Sequence, residues 1–420
     1  MSKLGILVGG GPAPGINSVI AAASIRSILE TVEVIGIRDG FESLMQGDSP
    51  RVTPLTIDAV TRIHVRGGSA LGTSRANPAR KAESIAAVLK SLEKLDVTSL
   101  ITIGGDDTAF SAMTISKASA GKVRVVHVPK TIDNDLSLPP DVDTFGFQTA
   151  RHVGVGLVQN LITDARTTSR WYLVIAMGRT AGQLALGIGK AAGATLTLIP
   201  EEFPNPTIRL RELVDTLAIA IVKRWSEGRK YGVAVLAEGI ALRLPQEDLK
   251  DLTGVERDDH DHVRLSELPF GNILRDALSK RLKEFGITIT VVSKDIGYEL
   301  RCADPIPMDM EYCRDLGYCA AKYILGGGDA AMVSIQGGHF KAIPFSEMLD
   351  PVTRKTKVRL VDIHSARYAI ARRYMIRLRR DDFGNPEAIA KVAAMCKMTP
   401  ELFTSNFHYL VENEPPPYLL

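Results

Sequence analysis

The sequence predicts an α/β protein built from two Rossmann-like domains with mainly parallel sheets, and three observations carry that expectation. Its 420 residues exceed what one hydrophobic core usually serves, so two domains are expected. Short apolar runs rich in branched side chains alternate with amphipathic stretches, the pattern of βαβ units whose helices cover both faces of a parallel sheet. No similarity recurs at a short fixed period, which excludes a solenoid.

The first half supplies these elements in order. "KLGILV" at residues 3–8 is a buried strand, and "INSVIAAASIRSILE" is too long for one and reads as a helix. "VEVIGI" is a second strand, "ARKAESIAAVLKSLEKL" a helix, and "SLITI" and "VRVVHV" two more strands. The alternation resumes with "WYLVIAMG", "TAGQLALGIGKAAG", "TLTLIP", "PTIRLRELVDTLAIAIVKRW" and "YGVAVLAEG", so a second domain is expected from about residue 146. A polar stretch from Arg243 to Glu267 breaks the rhythm and reads as an exposed excursion. Its Asp258, Asp259, His260, Asp261 and His262 have metal-ligating side chains, but neighbours on a loop rarely converge on one ion. The end, "ENEPPPYLL", holds three prolines that forbid helix and reads as a surface tail.

Composition narrows the partners. With 45% hydrophobic and 24% charged residues the chain resembles an ordinary soluble globular protein. A net charge of +3, with Lys and Arg scattered, argues against nucleic acid or an anionic membrane and leaves room for a local anion pocket. No apolar run reaches membrane-span length, and "MSKLGILVGGG" lacks the parts of a signal peptide. Cys302, Cys313, Cys319 and Cys396 show no CxxC pairing, as expected of reduced thiols in a cytoplasmic protein.

Ligands of open α/β sheets bind beyond the carboxyl ends of the strands, so the loops after the strands are the candidates for chemistry. "GGGPAPGIN" at residues 9–17 lets backbone N–H groups approach an anion ahead of a helix N-terminus. It is either a phosphate cradle or a tight βα turn. The third glycine of a dinucleotide fingerprint falls on Pro14, and no P-loop lysine follows Gly15. "GGDD" ends the strand "SLITI" with Asp106 and Asp107. Asp106 suits Mg²⁺, or caps a helix. "PKTIDNDL" presents Lys130, Thr131, Asp133 and Asp135, with two carboxylates spaced by two, so that one can act as base while the other orients metal or water. Turn-forming Asx residues are the alternative.

Taken together, GGD, "PKTIDND", "MGRTAG" and the glycine loop occur in the order and approximate spacing of the 6-phosphofructokinase family, over about residues 3–345. The resemblance implies two α/β domains with the active site in the cleft between them. Residues 1–145, completed by about 305–345, would bind the phosphoryl donor, and 146–304 the sugar phosphate. Residues 346–420 form an extension to which no role carries over. The implied reaction is phosphoryl transfer to the 1-hydroxyl of fructose 6-phosphate.

By resemblance, Asp133 is the base, Thr131 lies beside the moving phosphoryl group, Asp106 is the Mg²⁺ aspartate and Asp135 supports it. Gly11 and Arg75 face the transferred phosphoryl group. On the acceptor side, Met177, Gly178 and Arg179 match the sugar-phosphate segment, Arg170 the subunit-bridging arginine, Glu238 a sugar-hydroxyl acceptor, and Tyr298 and Arg301 the pair at the 6-phosphate. Asp107 and Lys130 depart from the ATP-using members and resemble the pyrophosphate-dependent branch. A carboxylate at 107 would lie where the nucleoside side of ATP must pass, whereas Lys130 adds a cation for a shorter donor. The expectation is therefore a Mg²⁺- and pyrophosphate-dependent enzyme, a homodimer or homotetramer with shared sites. The alternatives are an ATP-dependent 6-phosphofructokinase and a non-catalytic, sugar-phosphate-binding regulatory subunit. An oxidoreductase is disfavoured by Pro14.

Overall fold

The computed structural model describes residues 3–46, 51–245, 269–349 and 357–415. The Asp258–His262 cluster and most of the proline tail lie outside them. The chain divides into two compact units, Met1–Ala150 with Tyr298–Arg359, and Arg151–Gly297 with Leu360–Leu420.

The first unit begins with β1 (Lys3–Val8), α1 (Ile16–Leu29), β2 (Glu33–Ile37), α2 (Phe41–Met45), β3 (Val52–Pro54), α3 (Ile57–Val60), α4 (Ala82–Lys94), β4 (Val97–Gly104), α5 (Asp106–Ser119) and β5 (Arg124–Pro129). Helix α6 (Phe147–Thr168) then leads the chain into the second unit, through β6 (Trp171–Ala176), α7 (Gln183–Ala192), β7 (Leu196–Leu198), α8 (Leu210–Ser226), β8 (Gly232–Ala237), α9 (Phe270–Glu284) and β9 (Val291–Ile296). The chain returns to the first unit with α10 (Tyr298–Arg301), α11 (Pro307–Leu325), β10 (Ala331–Gln336) and β11 (His339–Pro344), and ends in the second with α12 (Ala366–Tyr374), α13 (Pro386–Met395) and α14 (Pro400–Phe407).

The sheet of the first unit runs β11-β10-β5-β4-β1-β2-β3. Its five inner strands are parallel, and the edge strands β3 and β11 are antiparallel to their neighbours. Leu4, Ile6, Leu7 and Val8 of β1 and Leu100, Ile101 and Ile103 of β4 are fully buried, as a sheet covered on both faces requires. Paired registers Val8↔Ile103 and Ile103↔Val128 bring the carboxyl ends of β1, β4 and β5 level, about 5 Å apart from strand to strand. The three loops singled out in the sequence therefore emerge side by side. Gly15 precedes α1 at φ 103, and a Cβ there would stand 2.3 Å from Cys313 Sγ of α11, so both backbone and packing require glycine.

The second unit carries the all-parallel sheet β7-β8-β6-β9. Its α8 is buried from Leu213 through Val222, Asp215 included. That carboxylate is paired with Arg281 at 2.7 Å and Arg211 at 3.4 Å and accepts from the Tyr409 hydroxyl at 2.9 Å. Removing one partner of such a buried charge typically costs about 3–5 kcal/mol. Tyr409 belongs to the C-terminal segment, which also supplies Arg377 and Arg372 to the buried Glu202 at 2.7 and 3.6 Å. Residues 360–415 thus supply side chains to the core of this unit, Tyr368, Phe403 and Phe407 among them.

Candidate active site

The donor-side candidates all lie in the first unit. The glycine loop after β1 is held against the extended segment before Arg75 by an isolated bridge, Gly9 with Ser74. Gly10 N–H donates to Ser74 O at 2.8 Å, and the Thr73 hydroxyl donates to Gly10 O at 2.6 Å. Arg75 is exposed at this edge. Lys130 follows β5, is only 5% exposed, and donates through Nζ to the Gly11 carbonyl. A Cβ added to Gly11 would stand 3.2 Å from Arg301 Nη1, so the Arg301 guanidinium also faces this loop. Two cations thus converge on backbone that can approach an anion closely.

Burial lowers the Lys130 ammonium to about 8, with the Arg301 charge adding to the effect and Asp133, Asp106 and Asp135 opposing it. Beneath it, His127 is fully buried and held neutral, with its pKa down at about 3, chiefly by burial. Its ring bridges Thr102 Oγ1 at 2.8 Å and Gly104 O at 3.0 Å, which ties β5 to the end of β4.

Asp106 and Asp107 form the exposed first turn of α5, where the helix N-terminus favours carboxylates. Asp135 is pushed up to about 7 by burial and then by the charges of Asp133 and Asp106, against a hydrogen bond from Thr131. Asp106, Asp133 and Asp135 therefore share one electrostatic neighbourhood. Mg²⁺ takes one or two carboxylates and completes its shell with water and phosphate oxygens, so this group of carboxylates, close enough to Lys130 to act on its charge, fits it. Asp106 and Asp135 are the side chains that would hold it. Among the described residues no three His, Cys, Asp or Glu side chains form a closed protein-only metal cluster.

Lys130 gives an expected pH dependence. It is charged below about 8 and loses its proton above. A pyrophosphate held by the ammonium raises that pKa, so affinity for pyrophosphate should fall as pH rises through about 8. Running the same titration on Lys130→Met subtracts the donor's own ionisation. Parallel curves for the two proteins would show that Lys130 does not hold the donor.

The acceptor-side candidates separate into groups. Met177, Gly178 and Arg179 follow β6, and Glu238 follows its neighbour β8, with Ala176 and Ala237 in register. Gly178 N–H donates to Glu238 Oε2 at 3.3 Å, and Gly239 N–H donates to Gly178 O at 3.0 Å. Gly178 has φ 149, which places it in a region that favours glycine. Met177 packs on Gly297, and Arg179 is exposed.

Arg170 is not brought to this group. It precedes β6, and six residues of strand, about 20 Å, separate it from the Met177 end. There its Nε lies 3.9 Å from Asp164. Tyr298 and Arg301 belong to the first unit, in α10, with the guanidinium 4.7 Å over the Tyr298 ring.

The phosphofructokinase family model matches residues 3–324. The chain belongs to the phosphofructokinase family. It is 51% identical to pyrophosphate–fructose 6-phosphate 1-phosphotransferase of Thermotoga maritima over 98% of this chain and 99% of that protein. Among solved structures, a pyrophosphate-dependent phosphofructokinase from Nitrosospira multiformis superposes with TM-score 0.67 at 15% identity, covering 100% of this chain and 94% of the other. Pichia pastoris phosphofructokinase in the T-state superposes with TM-score 0.65 at 22% identity over 82% of this chain, which spans 37% of that longer one. These two likenesses speak for the fold. No helix among the described residues is long and apolar enough to cross a membrane.

Within this phosphofructokinase-family chain, sequence reasoning missed the residues that shape the Thr131–Asp135 loop. Asn134 sits between the two carboxylates at φ 57, a conformation asparagine tolerates better than most residues. Its Oδ1 accepts from Thr144 N–H at 2.9 Å, and its Nδ2 donates to Asp143 at 2.8 Å. The Thr144 hydroxyl donates to Thr131 O at 2.7 Å. An asparagine framed by two aspartates was the available signal for this turn.

Proposed function

We infer that the protein transfers a phosphoryl group reversibly from pyrophosphate to the 1-hydroxyl of fructose 6-phosphate, giving fructose 1,6-bisphosphate and orthophosphate. The full-length likeness to the Thermotoga maritima protein, whose name states this reaction, carries the reading. Asp107 in the first turn of α5 and buried, cationic Lys130 support pyrophosphate as donor over ATP.

Asp133 accepts the proton as the sugar oxygen bonds to phosphorus, and the bond from phosphorus to the bridging oxygen of pyrophosphate breaks to release orthophosphate. Lys130 and Arg75 neutralise the charge spread over the transferred group, and the Gly11 amide faces it, which is where such enzymes gain most of their rate. Thr131 orients Asp135 and lines the path of the phosphoryl group. Mg²⁺ held by Asp106 and Asp135 would supply charge neutralisation on the donor's phosphate oxygens. Met177, Gly178, Arg179 and Glu238 hold the sugar phosphate, with Tyr298 at the 6-phosphate. The guanidinium position beside Gly11 favours a donor-side contact for Arg301 as well. The separation of Arg170 from Met177 supports its serving a second copy of the chain, in a homodimer or homotetramer with shared sites.

The deciding experiment supplies fructose 6-phosphate and Mg²⁺ with pyrophosphate or ATP separately. Turnover is expected with pyrophosphate and little with ATP, and fructose 1,6-bisphosphate plus orthophosphate should yield pyrophosphate. Comparable kcat/KM for the two donors would overturn the donor assignment, and turnover with neither would favour a regulatory subunit.

A further inference from the structure

The loop that carries Thr131, Asp133 and Asp135 runs from β5 to α6 without a sheet ladder. Its bridges outside strands are Lys130 with Phe145 and Leu136 with Val358. Backbone of this kind leaves carbonyls that need partners wherever water is kept away. Three of them, the carbonyls of Asn134, Pro139 and Val142, turn toward a single side chain. Arg359 Nε donates to Asn134 O at 3.1 Å, and Nη1 donates to Pro139 O and Val142 O, both at 2.8 Å. Nη2 donates to Asn134 Oδ1. The Arg359 backbone N–H adds a bond to Asp135 O at 2.8 Å.

We propose that Arg359 is the positioning residue of the catalytic loop, a planar clamp reaching in from the segment after β11 that sets the directions of the Asp133 and Asp135 side chains. This rests on the reaction assigned above. The clamp grips both the carbonyl and the side chain of Asn134, the one residue between the two carboxylates, and it does so at the left-handed φ that turns the chain there. A guanidinium has five donors in a fixed fork, so it spans carbonyls on both arms of the loop, 134 and 139–142, where a lysine ammonium would reach fewer with less directional control. Burial lowers the Arg359 pKa, and the charges of Asp143 and Asp135 oppose that shift without reversing it. Arg359 touches no reacting atom. Its effect passes through Asn134, so it should appear in the chemical step more than in substrate affinity.

The test compares Arg359→Ala and Arg359→Lys with the unaltered full chain, using pyrophosphate, fructose 6-phosphate and Mg²⁺. A misplacement of ~1 Å in a reacting group can cost about 10²-fold, so a partly loosened loop should lower kcat on the order of 10-fold. KM for fructose 6-phosphate should stay within about twofold, the pattern of a loss confined to the transition state. Guanidinium ion at non-denaturing concentration should restore part of kcat to Arg359→Ala and not to Arg359→Lys, whose side chain fills the space.

Hydrogen exchange read by mass spectrometry should show faster exchange of amides in 131–145 in both variants, with the strands of the same unit unchanged. That readout holds whatever the reaction is, so a wild type that failed to turn over pyrophosphate would refute the function while the loop exchange still judged the clamp. Unchanged kcat with unchanged exchange would overturn the proposal. So would a loss without rescue in which protection fell across the whole unit, because that marks general destabilisation. If the alanine variant does not fold, the lysine variant, which keeps the charge and the backbone bond to Asp135, decides by the same kcat and exchange criteria.

Discussion

Asp133→Asn is expected to lower kcat by about 10²- to 10⁴-fold, the range for loss of a general base, while fructose 6-phosphate still binds. The carboxamide keeps the shape, and the Asp133 amide can still donate to Thr131 Oγ1, a 3.1 Å bond that owes nothing to the side chain. The groups assigned to the sugar phosphate around Met177 and Glu238 are untouched. One secondary effect must be separated. The Asp133 charge supports the ionised form of Lys130, so removing it lets Lys130 lose its proton at a lower pH than about 8. The same removal relieves Asp135 of its largest repelling charge and lets it ionise more readily. The kcat comparison therefore belongs at saturating pyrophosphate and over a range of pH, so that the shifts of Lys130 and Asp135 are separated from the loss of the base. Near-normal kcat under those conditions would take Asp133 out of the mechanism.

What the sequence made legible follows from where the physics is local. Buried parallel strands such as β1, β4 and β8 read as near-continuous apolar runs because both faces of the sheet are covered. Of the four strands that escaped, β10 does have that pattern through "AMVSIQ", and the other three do not. β3 has only three residues, none of them buried, β9 alternates weakly through "VVSKDI", and β11 is "HFKAIP" with no buried position. Helix α6 hides its 22 residues behind Gly154 and Gly156, although Gly154 is required by packing, since a Cβ there would meet Ile188 Cδ1 at 2.4 Å.

The same division runs through the site. Asp106, Lys130, Thr131, Asp133 and Asp135 stand in two short motifs, each at the end of a strand, and a motif is by nature a local signal. Arg359 lies 225 positions from Asn134, in a stretch with no motif, and nothing but the fold brings them together. Arg301 was legible as a cation of the "GYELR" segment, but its place beside Gly11 depends on where α10 rejoins the first unit. Asp215 and Tyr409 repeat the lesson in the second unit. A carboxylate in the apolar run "LVDTLAIAIV" shows that a partner must exist, without showing that the partner comes from the far C-terminus.

Asp107→Gly should raise affinity for ATP by about 5- to 150-fold, because a carboxylate facing the polyphosphate repels it by an amount that solvent screening reduces and does not abolish. The geometry makes the substitution selective. Asp106 and Asp107 are consecutive in the first turn of α5, so their side chains leave the helix about 100° apart, and removing one leaves Asp106 in place. Glycine gives up a favourable charge at a helix N-terminus and some helix propensity, each on the order of 1 kcal/mol or less, which a 14-residue helix packed on its sheet should absorb. Lys130→Gly, in contrast, should mainly weaken pyrophosphate, since its ammonium reaches the Gly11 carbonyl at the donor loop. The double variant should prefer ATP more than either single one, without strict additivity, because Gly105 lies against the Lys130 carbonyl and the two positions follow the paired ends of neighbouring strands, β4 and β5. Turnover with ATP depends in addition on room for adenosine, so the deciding quantity is binding, read by calorimetry or by competition against pyrophosphate. An Asp107→Gly protein that folds and keeps its affinity for Mg²⁺-pyrophosphate, yet gains none for ATP, would show that the second aspartate of "GGDD" does not choose the donor. Selection would then rest with attraction through Lys130 alone.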